Sequence, residues 1–436
     1  MKQKIRKITL VLGDIVFAYV ALFYTVYLGF WPNFDSSVLQ QHLLPFSILY
    51  SIWLVLFYIF GLYDLDFTDP KATLLTRLGV CLSVCLAVGV IFFYTVPLFG
   101  ITPKTNLLIN IALFGFFIVI WRQLFYWLFS SRFLKNVGIL GKNHWTDKLV
   151  AEIKAHPQLG YRFVKFIAAG QSLSGQIKKE KINTLIIAQN INQQKTIIRE
   201  LYNCLHLKIN FLNLATAYEI LFHKIPVDFI DQEWFLANLA EGEKMAYDKI
   251  KRLIDVFSAL LIMLITSPIW PVLALLIKRE DHGPVFYKQE RTGKSGKTFW
   301  LYKFRTMKPD AEKSGPAWAK ANDSRATKTG KILRKIHIDE LPQMINVLSG
   351  EIALVGPRPE RPEFVQKLER AIPHYQLRHI IKPGFTGWAQ IKFRYARTAM
   401  DSQEKFQYDL YYLKNRSFLL DLGILLKTFQ IIFRGE

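Results

Sequence analysis

Acidic residues and cysteines are both scarce in this chain. Three cysteines stand among 436 residues; Cys81 and Cys85 lie inside one apolar run and Cys204 is alone. Neither a disulfide framework nor a zinc spacing can be drawn from them, so the soluble part is expected in a reducing compartment. Asp and Glu number 34 against 56 Lys and Arg, a formal net charge of +22. Such charge seeks nucleic acid, anionic lipid or phosphorylated substrates. No nucleic-acid module and no interleaving of arginines with stacking aromatics occurs, so nucleic acid is not the expected partner. What is abundant is apolar: 51% of residues are hydrophobic, and mean hydropathy is +0.17. The basic N-terminus and its apolar stretch resemble a signal peptide, but the stretch is too long and no small-residue cleavage site closes it. An uncleaved helix is expected.

Four apolar runs follow one another, at about Thr9–Trp31, Leu43–Tyr63, Leu78–Phe99 and Leu107–Phe129. Each is near the ~20 residues that a bilayer-spanning helix needs. Lys2, Lys4, Arg6 and Lys7 precede the first, the loop Pro32–His42 has no Lys or Arg, and Arg132, Lys135 and Lys142 follow the fourth. By the positive-inside rule the N-terminus and everything after the fourth run are cytoplasmic. Arg122, inside the fourth run, is expected to face other helices or to snorkel. Residues 1–133 therefore read as a four-span transmembrane domain.

Across residues 134–240 short strands alternate with helices. Val137–Leu140, Phe163–Ala168, Thr184–Ala188 and Ile209–Leu212 have strand character, and Asp147–Ala155 and Gln193–Leu205 have helical character. This predicts a small Rossmann-like α/β domain with a parallel sheet. Its first turn, Gly138-Ile-Leu-Gly141-Lys-Asn-His, stands where a dinucleotide fingerprint would, but the third glycine is missing and no acidic residue ends the second strand. A degenerate domain without NAD is expected.

Residues 241–436 form the third region, which opens on another apolar segment at about 253–277. Lys249, Lys251 and Arg252 flank one end, Lys278 and Arg279 the other, and Thr266-Ser267-Pro268 stands in the middle. Equal positive charge on both sides is wrong for a span. A helix that enters, breaks at Ser267-Pro268 and returns to the same face accounts for both features, with a hydroxyl satisfying the carbonyl that proline frees. Asp255, near the entry end, is expected to pair with Arg252 or another cation.

Beyond it, Gly293-Lys-Ser-Gly-Lys-Thr298 imitates a phosphate loop. A Walker motif would need glycine at 291 or 288, which are Arg and Lys, so a glycine-rich hairpin turn is the better reading. Tyr302-Lys-Phe-Arg-Thr-Met307 alternates as a strand, placing Lys303 and Arg305 on one face. Asn322–Thr327 is a polar turn leading to a helix that carries Arg334, and Asp339-Glu340-Leu-Pro-Gln343 follows. Gly356-Pro-Arg-Pro359 is a rigid turn presenting Arg358. Adjacent carboxylates and several cations suit phosphoryl transfer from a diphosphate, which needs a divalent cation, charge compensation and, in one form, a carboxylate nucleophile.

Taken in order, Lys251-Arg-Leu-Ile-Asp255, Ser267-Pro268, Gly283-Pro-Val-Phe-Tyr287, Gln289-x-Arg291, Tyr302–Met307, Asp339–Gln343, Val355–Pro359 and Pro383-Gly-Phe-Thr-Gly387 resemble the bacterial sugar transferase family. Its members are monotopic polyprenyl-phosphate glycosyl-1-phosphate transferases. The resemblance runs from about Lys249 to the C-terminus, and the four helices with an α/β domain resemble the large form that initiates exopolysaccharide, capsule or O-antigen synthesis. It implies a re-entrant helix with an α+β catalytic domain on the cytoplasmic face of a bacterial inner membrane. It further implies transfer of sugar 1-phosphate from a UDP-sugar to undecaprenyl phosphate, with release of UMP. Asp339 would be the nucleophile, Glu340 would bind Mg²⁺, and Arg334 would contact the lipid phosphate. Lys303, Arg305 and Arg358 would face the donor diphosphate. Which sugar moves is open, with specificity expected around Phe393–Lys405, and so is the oligomeric state, a homo-oligomer included. Two alternatives compete. A membrane-bound nucleotide-sugar dehydratase needs an intact NAD fingerprint and a Tyr-x-x-x-Lys pair; the fingerprint is incomplete, and the match Tyr247–Lys251 leads straight into the apolar segment. A non-catalytic scaffold of polysaccharide export is opposed by intact Asp339 and Glu340.

Overall fold

The computed structural model describes every residue except 1, 33, 64–70, 96–103, 132–133, 157–158, 169–171, 189–194, 231–233, 236–237, 240, 309–310, 312–324, 394–397 and 435–436. Part of the expected polar turn, 322–324, and part of the expected specificity stretch, 394–397, lie outside the described residues. The chain forms two compact units, Met1–Ala217 and Tyr218–Glu436.

The first unit opens on four long helices, Lys2–Gly29, Ser36–Ile59, Lys71–Thr95 and Lys104–Ser131. Each contains a stretch long and apolar enough to cross a membrane. They are apolar inside and out: Phe46, Trp53, Phe57 and Phe114 fill the core, while Leu12, Val16, Phe116 and Trp127 point outward. Such all-round hydrophobicity marks a helix with no water-facing side. With lipid outside, burial of apolar surface does not drive the helices together, so close packing and polar bonds do. Gly13 lets the Trp121 ring reach the first helix; a Cβ there would lie 2.0 Å from the indole, and Trp121 Nε1 donates to the Leu10 carbonyl at 3.1 Å. Asn110 donates to Thr25 at 3.1 Å and to the Tyr50 hydroxyl at 2.9 Å. Arg122 turns inward, as expected, onto a buried partner the sequence pattern does not single out, Asp14, at 2.7 Å.

The helices lead into a four-stranded parallel sheet of β1 (Lys135–Leu140), β2 (Tyr161–Ile167), β3 (Thr184–Ile187) and β4 (Asn210–Asn213), in spatial order β2-β1-β3-β4. All four expected strands are present, with helices His144–Ala155 and Lys195–Asn203 where the periodicity placed them. Among the described residues two helices escape the pattern, Leu173–Lys179, started by the Ser172 side chain, and Leu214–Phe222. The turn after β1 is closed by its own side chains. Asn143 accepts from Thr146 N and Thr146 from Asn143 N, both at 2.9 Å, a capping box that occupies the first turn of the helix.

In the second unit, part of segment 218–240, which the sequence pattern assigns to the α/β domain, packs on C-terminal helices. Ile225 N donates to Gln407 O, and Lys414 pairs with Glu219. Helix Met245–Thr266 passes through one 3₁₀ turn, Ser267–Ile269, into helix Trp270–Asp281. The whole run, Met245–Asp281, is a fifth stretch long and apolar enough to cross a membrane. At its middle Pro268 cannot donate to the Leu264 carbonyl, and the Ser267 hydroxyl donates there instead, at 3.0 Å.

Both arms of this run dock on the same following domain. From the first, Arg252 donates to the carbonyls of Val347 and Leu348, and Asp255 accepts from Leu354 N at 3.3 Å with Lys251 3.9 Å away. From the second, Leu273 and Ile277 join Phe304 and Leu333 in a core against which Trp270, Ile338 and Leu341 pack. The domain adds an antiparallel hairpin, β5 (Phe286–Thr292) and β6 (Thr298–Phe304), and a parallel pair, β7 (Ala353–Val355) and β8 (Gly384–Thr386). The false phosphate loop is the hairpin turn, with Ser295 and Gly296 at positive φ. Helices Pro362–Ala371, Ala399–Asn415 and Phe418–Arg434 complete the domain.

Candidate active site

Three short elements carry the chemistry. Helix Lys328–Lys335 starts on the Thr327 side chain, which accepts from Gly330 N, and on Glu280, whose carboxylate accepts from Lys328 N and Thr329 N. The end of the apolar helix pair therefore fixes the helix that carries Arg334. His337 then takes the left-handed conformation, φ 55°, and breaks the helix. A 3₁₀ turn, Ile338–Glu340, follows and places Asp339 and Glu340 inward at 6% and 7% exposure. The flanking Ile338 and Leu341 pack on the Trp270 core, so the turn is anchored by its apolar neighbours.

Strand β6 brings Lys303 to the same place. Its register is held by Asn346, which accepts from Tyr302 N at 3.1 Å and donates to Trp300 O at 2.7 Å. Lys303 Nζ lies 2.6 Å from Glu340 Oε1. The third element is the turn after β7. Gly356 and Gly384 are the close approach of the β7–β8 pair: a Cβ at Gly384 would lie 2.0 Å from Gly356 N. No other residue fits there, and the turn it permits aims Arg358 at Glu340, with Nη2 2.8 Å from the same Oε1.

Two cations thus share one oxygen of Glu340, while its Oε2 makes no hydrogen bond among the described residues. Burial works to raise this carboxyl, but Arg358 and Lys303 outweigh it and hold it well below the usual carboxylate range. Asp339 differs. It makes no hydrogen bond or ion pair among the described residues, and burial pushes it up to about 6 against the pull of Lys303, with Glu340 pushing the same way. Two adjacent carboxylates whose environments drive them apart can take separate roles. Arg334, half-buried, lies within the electrostatic reach of Asp339.

The expected residues Asp339, Glu340, Lys303, Arg358 and Arg334 therefore converge. Arg305 does not. Strand β6 ends at Phe304, and the Arg305 guanidinium forks onto Asp281 and donates to Pro284 O at 2.6 Å. Arg305 N still donates to Val285 O at 2.9 Å, but the side chain is drawn to Asp281 at the end of the apolar helix pair. Two further residues brace the site. Arg291 donates to Pro359 O at 3.1 Å, and Arg378 donates to Arg358 O at 2.8 Å. Arg291 stood in a quoted motif without a role; Arg378 carries no local sequence signal.

No group of three or more His, Cys, Asp or Glu side chains stands together among the described residues. Glu340 Oε2, without a hydrogen bond among the described residues, is a donor of the hard oxygen kind that could hold a divalent cation. At the helix break, Leu260, Met263, Leu264, Ser267, Trp270 and Leu348 line an apolar cleft of about 450 Å³.

The profile of bacterial sugar transferases matches residues 246–435. A UDP-N-acetylgalactosamine-undecaprenyl-phosphate N-acetylgalactosaminephosphotransferase of Aeromonas hydrophila is 40% identical over 237 residues, 54% of this chain and 55% of that protein. An exopolysaccharide production protein of Rhizobium leguminosarum bv. phaseoli is 40% identical over 185 residues, 41% of this chain and 92% of that protein. A UDP-glucose:undecaprenyl-phosphate glucose-1-phosphate transferase of Escherichia coli is 40% identical over 188 residues, 43% of this chain and 40% of that protein. The matched stretch thus spans about half or less of the Aeromonas and Escherichia proteins, and all of the site residues above fall inside the profile match. The chain belongs to the bacterial sugar transferase family.

Proposed function

We propose that this protein is a phosphoglycosyl transferase that moves a sugar 1-phosphate from a UDP-sugar to undecaprenyl phosphate, the first membrane step of a surface glycan. The observation that carries this reading is the buried pair at Asp339 and Glu340, one carboxylate without a hydrogen bond or ion pair among the described residues and its neighbour clamped by Lys303 and Arg358. A solvated helix face would show neither burial nor this division. The names of the relatives support the substrates.

In the first half-reaction an Asp339 oxygen attacks the phosphorus that bears the sugar. The bond from that phosphorus to the oxygen of UMP breaks, and UMP leaves with the electron pair. In the second, an oxygen of the lipid phosphate attacks the same phosphorus and Asp339 leaves as carboxylate. Arg358 and Lys303 offset charge on the donor diphosphate, and Arg334 faces the lipid phosphate. Glu340, through its free Oε2, is the residue that would hold Mg²⁺, which when bound supplies further charge compensation.

The run Met245–Asp281 is read as re-entrant, with both ends at the cytoplasmic face of a bacterial inner membrane. Both arms dock on one domain, the flanks are equally basic, and the Ser267 hydroxyl replaces the bond lost at Pro268. The apolar cleft at the break suits the isoprenoid end of the acceptor. The sheet of β1–β4 is assigned a structural role, since its first helix turn is filled by Asn143 and Thr146. The test is UMP release from a panel of UDP-sugars with undecaprenyl phosphate and Mg²⁺. Release with at least one donor supports the reading, and silence with all of them refutes it.

A further inference from the structure

The turn Gly356-Pro-Arg-Pro359 has few donors of its own, because two of its residues are prolines, and it is held almost entirely by its carbonyls. Gly384 N donates to Pro357 O at 2.8 Å, Arg378 to Arg358 O at 2.8 Å, and Arg291 to Pro359 O at 3.1 Å. Of these anchors Arg378 grips the residue whose side chain reaches Glu340. Arg378 is itself 7% exposed and committed on every side. It pairs with Asp409 at 3.0 Å, donates to the Tyr375 hydroxyl, and its guanidinium carbon lies 5.0 Å from the Tyr375 ring centre. Asp409 is 3% exposed and belongs to helix Ala399–Asn415, and the Tyr375 ring packs at a tilt, 5.3 Å between centres, against Phe406 of that helix.

We propose that Arg378, braced by Asp409 and Tyr375, is a positioning residue that sets Arg358 onto Glu340 and so ties helix Ala399–Asn415 to the catalytic turn. The inference rests on the function proposed above. Planar guanidinium is the group for this task. One fork reaches a carboxylate, a hydroxyl and a carbonyl at fixed angles, which a lysine ammonium on a flexible stem does not reproduce. A buried Arg–Asp pair is no strong source of net stability, since desolvation offsets its attraction, so its value here is geometric. Without the brace, the Arg358 carbonyl would lose a charge-assisted bond and the side chain would lose its fixed aim.

The test uses the full chain in nanodiscs and two measurements. UMP release is followed for Arg378→Ala, Arg378→Lys, Asp409→Asn, Arg358→Ala and the double variant Arg378→Ala/Arg358→Ala, with whichever UDP-sugar the wild type turns over. Arg378→Ala should lower kcat by about tenfold or more, the factor that corresponds to one charge-assisted hydrogen bond. The double variant should be no slower than Arg358→Ala alone, because the brace acts only through Arg358. Hydrogen exchange, which needs no activity, should quicken in residues 353–361 in the Arg378 and Asp409 variants while the sheet β1–β4 is unchanged. If Arg378→Ala does not fold, Arg378→Lys and Asp409→Asn carry the same comparison in the Arg358→Ala background. Multiplying losses in the double variants, or exchange in 353–361 that stays as in the wild type or rises only with a general loosening, overturns the proposal. If the wild type releases no UMP, the functional reading fails, and the exchange result still decides whether the brace exists.

Discussion

Lys303→Met is the most informative single change outside the nucleophile. Lys303 and Glu340 lie 2.6 Å apart with side chains 17% and 10% exposed, so their attraction is not screened as on a surface. Removing one partner of a buried pair costs about 3–5 kcal/mol, chiefly because the other charge is stranded. Here Arg358 stays on the same oxygen at 2.8 Å and relieves part of that cost, so the expected loss is about 2–3 kcal/mol, below the full cost of an orphaned charge. Glu340→Gln strands two cations instead of one and should cost at least as much. The double variant Lys303→Met/Glu340→Gln should recover about half of the summed single losses, because fewer uncompensated charges remain buried. Denaturant unfolding of the purified chain in detergent, followed by a probe in the catalytic domain, measures all three. A Lys303→Met loss below about 1 kcal/mol would place the pair among solvated surface bridges and refute the reasoning.

Further outcomes follow from the structure. Because burial holds Asp339 up to about 6 and the carboxylate is the attacking form, kcat/KM for the UDP-sugar should fall as pH drops through about 6, with the limb moving lower as Mg²⁺ rises; a flat profile from pH 5 to 8 at low Mg²⁺ speaks against it. The same shift means that Asp339 destabilises the fold when ionised, so its contribution improves as pH falls from about 6 toward its unfolded value, about 3.9. Pro268→Ala restores a donor for the Leu264 carbonyl that the Ser267 hydroxyl now satisfies and should straighten the helix pair and reduce activity. Lys249→Cys and Lys278→Cys should both be labelled from the cytoplasmic side of sealed vesicles, and labelling of the second from outside would make the segment a span. In the bundle, Asp14→Leu or Arg122→Leu alone should destabilise by about 3–5 kcal/mol, and the double variant by far less, as for any buried pair left with or without an orphan.

Much of the architecture is legible because it rests on local periodicity. The apolar runs, the four strands of the parallel sheet and the hairpin at Gly293–Thr298 are each set by spacing within a few residues, and each is where that spacing predicts. The convergence of Asp339, Glu340, Lys303 and Arg358 was expected from motif order rather than from any local rule, since these residues meet across β6, a 3₁₀ turn and the β7 turn. Arg305 shows where alternation is no guide: beyond the end of β6 the side chain is captured by Asp281, a partner 24 positions away. Asp14 and Arg378 had no signal at all. Each is one charged residue whose partner lies 108 or 31 positions away, Arg122 in one case and Asp409 in the other, and such pairs become visible only in three dimensions. The bonds of segment 218–240 to Trp388 and Lys414 are long-range in the same way and leave no local signal.

The central claim is that Asp339 is a covalent nucleophile, and mass spectrometry of the full chain incubated with UDP-sugar and Mg²⁺ but no lipid tests it most directly. The account predicts a hexose-phosphate or N-acetylhexosamine-phosphate adduct on the peptide that contains Asp339, formed together with UMP. Asp339→Asn, which keeps size and polarity but removes the attacking charge, should abolish both. Adding undecaprenyl phosphate should discharge the adduct, and Arg334→Ala should slow that discharge more than it slows UMP release. Near-normal UMP release from Asp339→Asn, or turnover that occurs only when lipid phosphate is present with no adduct at any time, would contradict the account in favour of direct attack by the lipid.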